Sequence, residues 1–246
     1  MLEETPNQGF DNVNAPLMPL RRREAQGVRS EKRVKEILAV ARQIFSAQGY
    51  ERTTTLEIAR QLEVSEATIF SYFVSKRDLC MRVIQSWYDE ITLVLEQELP
   101  LIPGTRAKLH FVVHKHLVTL IQEGTGMCRL VLGEGRSTMD DEFATLIIEL
   151  KRRYTNPLMK VLGSAQRVNE IRVDMPLPLL RDMVYGSMEH VLWDYVAKGV
   201  KPDIDKTAEQ LTAMLWGAFT PVQQTMEQLA RFHLEVAEAL RRLEQS

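Results

Sequence analysis

Residues 54–79 read TTLEIARQLEVSEATIFSYFVSKRDL, and this stretch decides the fold of the chain. Thr54 stands three residues before Glu57, the spacing of a capping box, which predicts that a short helix follows Thr54. Ser65 and Ser75 are further N-capping side chains, so a second short helix and then a longer one are expected. The apolar residues of the three segments fall at helical spacing: Ile58, Ala59, Leu62, Ile69, Phe73 and Leu79.

The residues before this stretch predict one more helix. Residues 31–48 carry apolar side chains with helical periodicity, and Gly49 follows as a C-cap. Two short helices joined by a tight turn, with the small Ala59 where their axes cross, make a helix-turn-helix unit. The second helix of such a unit enters the major groove of DNA and presents its outward side chains to base edges. Here these are Glu66, Thr68, Ser71 and Tyr72.

The charge distribution supports a polyanionic partner. The 246 residues carry a net charge of −2, but residues 21–80 hold 12 Lys and Arg against 8 Asp and Glu, a net of +4. Residues 1–20 and 81–246 each have a net charge of −3. A basic segment of domain size beside an acidic remainder is a mild indication of nucleic-acid binding. Three consecutive arginines at 21–23 could form a phosphate-binding arm, and a solvated tail explains them equally well.

Residues 33–79, RVKEILAVARQIFSAQGYERTTTLEIARQLEVSEATIFSYFVSKRDL, closely resemble the DNA-binding domain of the TetR transcriptional regulators. The matching runs are IL..A...F...GY..TT...IA and VS..T.F.YF.SK..L, in which about twenty positions agree in type and order. The resemblance implies a homodimer whose recognition helices read successive major grooves about 34–36 Å apart on a roughly palindromic operator in double-stranded DNA. It also implies a repressor released by a small-molecule effector.

Carried over by position, the resemblance places Thr68 near bases, Tyr72 and Lys76 at phosphates, and Thr55 at a helix start against the DNA backbone. The expected DNA-binding residues are Arg33, Thr55, Ser65, Glu66, Ala67, Thr68, Phe70, Ser71, Tyr72 and Lys76. Three positions are unusual. Phe70 stands where a Tyr is common. Glu63 stands at a turn position often held by Gly, and a positive φ there would cost roughly 1 kcal/mol of strain. The Glu66 carboxylate would repel phosphates, although it could accept from a cytosine amine.

The expected fold is all-α in three parts: a flexible tail (1–29), the three-helix DNA-binding domain (30–77), and a larger helical domain for effector binding and dimerisation (78–246). After the helix that starts at Lys76, Pro and Gly punctuate a pattern with no strand-like alternation. Further helices are predicted at 105–123, 127–135, 139–167 with a kink at Pro157, 178–198, 203–219 and 222–244.

This larger domain exceeds what dimerisation needs, so most of it must serve another purpose, and the resemblance implies that its central helices enclose a pocket for a small effector. The large or amphipathic side chains of the central helices are the pocket candidates: Trp87, Phe111, His114, Met127, Phe143, Tyr154, Met188 and Trp193. They favour an apolar or aromatic effector. The resemblance also implies a dimer interface on the helices at 178–198 and 203–219, and apolar stripes on both are consistent with it: Leu180, Met183, Val184, Ser187, Val191, Leu211, Leu215 and Phe219. An effector would then change the spacing of the recognition helices through the helix at Lys76.

Other functions have less support. His110 and His114 stand four residues apart, but without a third ligand nearby they are read as packed histidines and no metal or other cofactor is expected. Cys128 is expected to be a buried thiol. No catalytic motif is present, so no enzyme activity is expected, and we find no membrane span or secretory signal, which favours a cytoplasmic protein. The alternative is a helical ligand-binding or catalytic protein whose N-terminal unit is only structural.

Overall fold

The computed structural model describes residues 27–123, 125–132, 141–221, 231–236 and 241–242. These residues are helical or lie in turns, and none of them forms a strand, which confirms the all-α class. The α-helices are α1 (Val28–Arg52), α2 (Thr55–Gln61), α3 (Glu66–Tyr72), α4 (Lys76–Glu98), α5 (Thr105–Val118), α6 (Thr125–Leu132), α7 (Asp141–Arg167), α8 (Leu177–Lys198) and α9 (Ile204–Phe219). Within these ranges no helix is both long and apolar enough to cross a lipid bilayer.

The three predicted N-caps form in the helix-turn-helix region. The hydroxyl of Thr54 accepts from the backbone N–H of Glu57 at 3.2 Å, and Ser65 and Ser75 cap α3 and α4 in the same way. The return bond of the capping box differs from expectation, because the Glu57 carboxylate accepts from the Gln48 amide at 2.7 Å. This hydrogen bond connects α2 to α1, so the Glu57 carboxylate stabilises the packing of the two helices and does not cap α2.

Several helix boundaries differ from the predicted ones. α1 begins at Val28, three residues before the predicted start at residue 31. Gly27, with a φ of 117°, precedes it, and its backbone oxygen accepts from the N–H groups of Ser30 and Glu31. Gly49 leaves the helical region with φ 81° and ψ 175°, as a C-capping glycine would, but one further turn follows it. The predicted helix at 105–123 ends as an α-helix at Val118 and continues as a π-helix over Thr119–Glu123. α7 passes through Pro157.

Parts of four predictions lie outside the described residues. These are most of the tail at 1–29, the end of the helix at 127–135, the first two residues of the helix at 139–167, and most of the helix at 222–244. Residues 231–236 are helical, as expected for the last of these, and their side chains are exposed.

The cores of the two predicted domains meet along α1, α4 and α6. Ile37, Phe45, Ile58 and Ile69 are buried where α1, α2 and α3 pack together. α4 runs from this region into the larger helical part, where it packs on α7. α6 packs on α1, and a Cβ at Gly126 would lie 2.2 Å from the backbone oxygen of Ser46. The backbones of α1 and α6 therefore touch because residue 126 has no side chain.

α8 and α9 do not present the surface that the apolar stripes suggested. Leu180, Val184, Leu215 and Phe219 are at most 1% exposed, so these four candidates are corrected: they pack inside their own chain. Met183, Ser187, Val191 and Leu211 are half-buried. The large apolar side chains that α8 and α9 do expose are Leu179, Trp193 and Met214.

Candidate nucleic-acid interface and ligand cavity

The outward face of α3 is formed by residues of the expected DNA-binding set. Ser65, Ala67, Phe70 and Ser71 are exposed, and Glu66, Thr68 and Tyr72 are half-buried. The opposite face holds Ile69, which is fully buried. One side of α3 is therefore fixed to the protein core and the other is accessible, as groove insertion requires.

The polar side chains on this face are held in place by short-range bonds. The hydroxyl groups of Ser65 and Thr68 are 2.9 Å apart, and the Ser71 hydroxyl donates to the backbone oxygen of Thr68 at 2.7 Å. These bonds fix the rotamers of the three side chains before any ligand is present. Such preorganisation reduces the entropy lost on binding.

Two expected DNA contacts have partners within the chain. Thr55 is 8% exposed, and its hydroxyl donates to the Glu66 carboxylate at 2.5 Å. This bond joins the N-terminal turns of α2 and α3, where a carboxylate is stabilised by the helix dipole, and it accounts for an acidic residue on the α3 face. Arg33 pairs with Glu36 at 2.9 Å on the exposed side of α1, and a pair of this kind is weak.

The Lys76 ammonium lies at the C-terminal end of α1. It donates to the backbone oxygens of Tyr50 at 2.8 Å and Thr53 at 3.0 Å, and it lies 4.1 Å from the centre of the Tyr50 ring. A cation at this position satisfies carbonyl groups that the helix leaves open. Lys76 therefore holds α1 against α4, a role that the sequence did not suggest.

The turn between α2 and α3 carries the expected strained residue. Glu63 has a φ of 55°, the left-handed region in which glycine is favoured. Its N–H bonds the Arg60 oxygen at 3.1 Å, and the next N–H, of Val64, bonds the Ala59 oxygen at 3.0 Å. The tight turn is therefore satisfied by backbone bonds in spite of the side chain at position 63.

A cavity of about 580 Å³ lies in the larger helical part, within the size range of small-molecule sites. Its walls come from α4, α5, α6, α7, α8 and the π-helix. Aromatic side chains line much of it: Trp87, Tyr88, His116, Tyr154 and Tyr185. Aliphatic and sulfur-containing side chains complete the apolar lining: Ile91, Leu120, Cys128, Val131 and Ile148.

Charged side chains also line this cavity, and they are partly exposed. Lys151 pairs with Glu189 at 3.4 Å, Arg152 with Glu149 at 2.7 Å, and Arg181 with Asp182 at 2.8 Å. Hydrogen bonding to Arg152 lowers the pKa of Glu149. We call Lys151, Arg152 and Arg181 the cation rim.

The aromatic lining contains a buried histidine that is uncharged. The Nδ1 atom of His116 lies 2.7 Å from the Tyr154 hydroxyl, and its ring centre lies 5.4 Å from that of Tyr185. Burial, followed by the nearby charge of Lys151, lowers the pKa of His116 to about 3. Burial also raises the pKa of Tyr154 and of Tyr185. The imidazole and the two phenols in the wall of the cavity are therefore uncharged at neutral pH.

The sequence identified two of the side chains that line this cavity. Trp87 and Tyr154 line it as expected. The other six candidates do not and are corrected: Phe111 is half-buried, Met127, Phe143 and Met188 are buried, Trp193 is 44% exposed, and His114 bonds Asp205 at 2.8 Å. His116, Tyr185 and Tyr88 were missed, because the helix faces that border the cavity are determined by tertiary packing and leave no separate signal in the sequence.

The interpretation of His110 and His114 as packed histidines is wrong for His110, which is exposed, and His114 is half-buried. The rings of His110 and His114 stack 6.1 Å apart, and no group of three potential metal ligands occurs among the described residues. Cys128 is buried, and burial raises the pKa of its thiol to about 12. A thiol with so little thiolate is a weak nucleophile.

A helix-turn-helix with one accessible helix face, joined to a helical domain with a cavity that is partly open to solvent, defines a DNA-binding regulator that responds to a ligand. Two family profiles match: that of the tetR family of bacterial regulatory proteins over residues 37–83, and that of the C-terminal region of YsiA-like proteins over residues 89–218. The chain belongs to the tetR family of bacterial regulatory proteins and is a DNA-binding transcriptional regulator.

Individual relatives agree with this family. The fatty acid metabolism regulator protein of Bacillus subtilis is 23% identical over 73% of this chain and 92% of its own length. The nucleoid occlusion factor SlmA of Photobacterium profundum is 28% identical over 71% of this chain and 89% of its own. The crystal structure of FadR from Bacillus subtilis in complex with stearoyl-CoA has a TM-score of 0.67 at 22% identity, covering 74% of this chain and 96% of that one.

Proposed function

We propose that the protein is a homodimeric repressor whose release from its operator follows the binding of an amphipathic acyl compound in the cavity. The observation that carries this proposal is that α4, which begins in the DNA-binding part, also forms a wall of the cavity. α4 begins at Lys76, beside α1, and contributes Trp87, Tyr88 and Ile91 to the lining.

α6 provides a second connection between the cavity and the DNA-binding part. Cys128 and Val131 face the cavity, while Gly126 touches the backbone of Ser46 in α1. A ligand that binds one position of α4 and α6 more tightly shifts the population toward that position. The accompanying movement of α1 and α3 changes the spacing of the two recognition helices, so DNA affinity falls.

The chemistry of the cavity supports an amphipathic acyl compound. Its interior is largely apolar and aromatic, whereas the cation rim could attract a phosphate or carboxylate headgroup. The structurally similar FadR of Bacillus subtilis was solved with stearoyl-CoA. This ligand class narrows the apolar or aromatic effector expected from the sequence.

The homodimer is proposed on the exposed faces of α8 and α9. Leu179 and Trp193 on α8 share one helical face with Gly186, and Met214 on α9 shares a face with Gly217. A Cβ added at either glycine would meet no atom within 4 Å. Exposed apolar side chains beside such open positions suit close helix packing between subunits.

Electrophoretic mobility shift with the DNA that flanks the gene tests the proposal. We expect a sequence-selective shift that weakens steeply with salt, and stearoyl-CoA lowers the DNA affinity by about 5–150-fold, whereas coenzyme A does not. A protein whose N-terminal unit is only structural gives no selective shift. An operator shift that stearoyl-CoA leaves unchanged contradicts the proposed effector class.

A substitution on α3 tests base readout separately. Thr68→Ala is expected to change base preference at one position of each half-site, because its side chain belongs to the accessible face of α3. Thr105→Ala, at the start of α5, is the matched control and should leave binding unchanged. Equal losses on operator and random DNA for Thr68→Ala would remove this residue from base recognition.

A further inference from the structure

The helix α3 lacks the side chains that read bases with paired hydrogen bonds. Residues 64–75 read VSEATIFSYFVS and contain no Arg, Lys, Asn or Gln. In the major groove, Arg and Lys make the paired contacts to guanine, and Asn and Gln make those to adenine. The next cation along the chain, Lys76, has its ammonium on the backbone oxygens of Tyr50 and Thr53. Sequence recognition by α3 must therefore use other contacts.

Several polar groups on the accessible face of α3 are bonded within the chain. The Glu66 carboxylate accepts from the Thr55 hydroxyl. The hydroxyls of Ser65 and Thr68 are 2.9 Å apart, and the Ser71 hydroxyl donates to the backbone oxygen of Thr68 at 2.7 Å. These bonds take up part of the hydrogen-bonding capacity of the face, so its apolar side chains gain in importance for recognition.

Besides the two serines, the exposed residues of this face are Ala67 and Phe70. The Phe70 side chain is 40% exposed, although burial of such a ring is favourable. The two residues stand three apart, so their side chains lie on the same side of the helix. Their spacing along the helix axis is about 4.5 Å, close to the rise of about 3.4 Å between base pairs. Ala67 and Phe70 therefore form an apolar strip that neighbouring base pairs can contact.

Thymine is the DNA base with an apolar group at its major-groove edge. That group is the C5-methyl, whereas the edges of the other three bases present hydrogen-bond donors and acceptors there. Contact of a Phe ring or an Ala methyl with the thymine methyl removes apolar surface of both partners from water. Contact with another base edge would cover a polar group and leave it without a partner, which costs free energy. The apolar strip therefore favours thymine.

We propose that Ala67 and Phe70 read the methyl groups of two thymines on neighbouring base pairs in each half-site of the operator. These contacts carry much of the sequence selectivity of α3, because the helix has no side chain for paired hydrogen bonds to guanine or adenine. The inference rests on the operator binding of the proposed function and is independent of the effector.

Replacement of thymine by deoxyuridine, which lacks only the C5-methyl group, tests the proposal on the full-length protein. An operator is first selected from a random duplex pool by mobility shift, and each thymine of both strands is then replaced in turn. For wild-type protein we expect affinity to fall by about 3–5-fold at two neighbouring positions of each half-site, the effect of one buried methyl group. Replacements in the spacer between the half-sites should have little effect.

Phe70→Ala identifies the side chain that makes one of these contacts. In this variant we expect deoxyuridine to cost nothing at one of the two positions, while the neighbouring position, which contacts Ala67, keeps its loss. The control is Leu93→Ala, which removes an exposed apolar side chain from α4, roughly 25 Å along that helix from Lys76. It should retain the wild-type profile.

The wild-type scan decides the proposal even if Phe70→Ala does not fold. A selectively bound operator on which no deoxyuridine weakens binding overturns the proposal and leaves the DNA-binding function intact. A deoxyuridine profile of folded Phe70→Ala identical to that of wild type also overturns it. If wild-type protein selects no operator from the pool, the proposed function fails and this inference fails with it.

Discussion

Replacing Gly126 by Ala tests whether the contact of α6 with α1 couples the two parts of the protein. The added Cβ would lie 2.2 Å from the backbone oxygen of Ser46 and 2.7 Å from its Cα. Ordinary contacts of a Cβ begin near 3.4 Å, so the helices must separate by roughly 1 Å. Backbone atoms cannot rotate aside, so the entire contact has to adjust.

The expected cost follows from overpacking. Forcing an extra methyl group into a close contact destabilises a protein by about 1–3 kcal/mol, whereas Gly→Ala in an unobstructed helix is stabilising by about 0.5–1 kcal/mol. Urea unfolding measures the difference. Gly163→Ala in α7 is the matched control, because its Cβ would meet only Leu177 Cδ1 at 3.4 Å.

The same variant is then tested for coupling. With α6 displaced from α1, we expect operator affinity to depend less on the effector than in the wild-type protein and in Gly163→Ala, as measured by mobility shift with and without stearoyl-CoA. A Gly126→Ala protein that is as stable as Gly163→Ala refutes the close contact. One that is destabilised but retains the full effector response refutes the coupling through α6.

Glu63→Gly should raise the free energy of unfolding by about 0.5–1 kcal/mol in urea, because residue 63 has a φ of 55°. Asn169→Gly, at the same φ, should raise it less, because Asn tolerates a positive φ better than Glu does. A larger increase for Asn169→Gly than for Glu63→Gly would contradict the strain argument. Lys76→Ala should lower the free energy of unfolding by about 1–3 kcal/mol, because the carbonyl groups of Tyr50 and Thr53 lose their donor. If Lys76 also contacts a phosphate, the slope of log affinity for DNA against log salt concentration should fall by about one. An unchanged slope would assign Lys76 to structure alone. The unfolded chain binds a proton at His116 below pH 6.5, but the folded chain does so only near pH 3, so stability should fall by about 2 kcal/mol between pH 7 and 5. His116→Asn should lessen this loss and His114→Asn should not; equal pH profiles for wild type and His116→Asn would contradict the buried neutral ring.

The helix-turn-helix could be predicted from sequence because its determinants are local. Thr54, Ser65 and Ser75 lie within three residues of the N–H groups that they cap, and the structure confirms all three. The positive φ of Glu63 was equally accessible, since the turn between two fixed helix ends leaves little choice of backbone conformation. The family and the all-α fold are confirmed, whereas the domain boundaries remain predictions.

The cavity and the outer faces of α8 and α9 could not be predicted because they depend on tertiary packing. His114 and His116 lie in the same segment of largely apolar sequence, residues 111–120, but two residues turn a helix by about 200°, so one ring reaches Asp205 and the other reaches the cavity. An apolar stripe such as that of Leu180 and Val184 shows that a face is covered, without showing whether the same chain covers it. Here the chain itself does so.

The neutrality of the cavity interior determines what kind of signal can leave it. The imidazole, phenol and thiol groups facing it are all uncharged at neutral pH, and the described cations near it are neutralised by adjacent acids. A guest would therefore act on the DNA-binding part through the positions of α4 and α6, because both helices line the cavity and pack against α1.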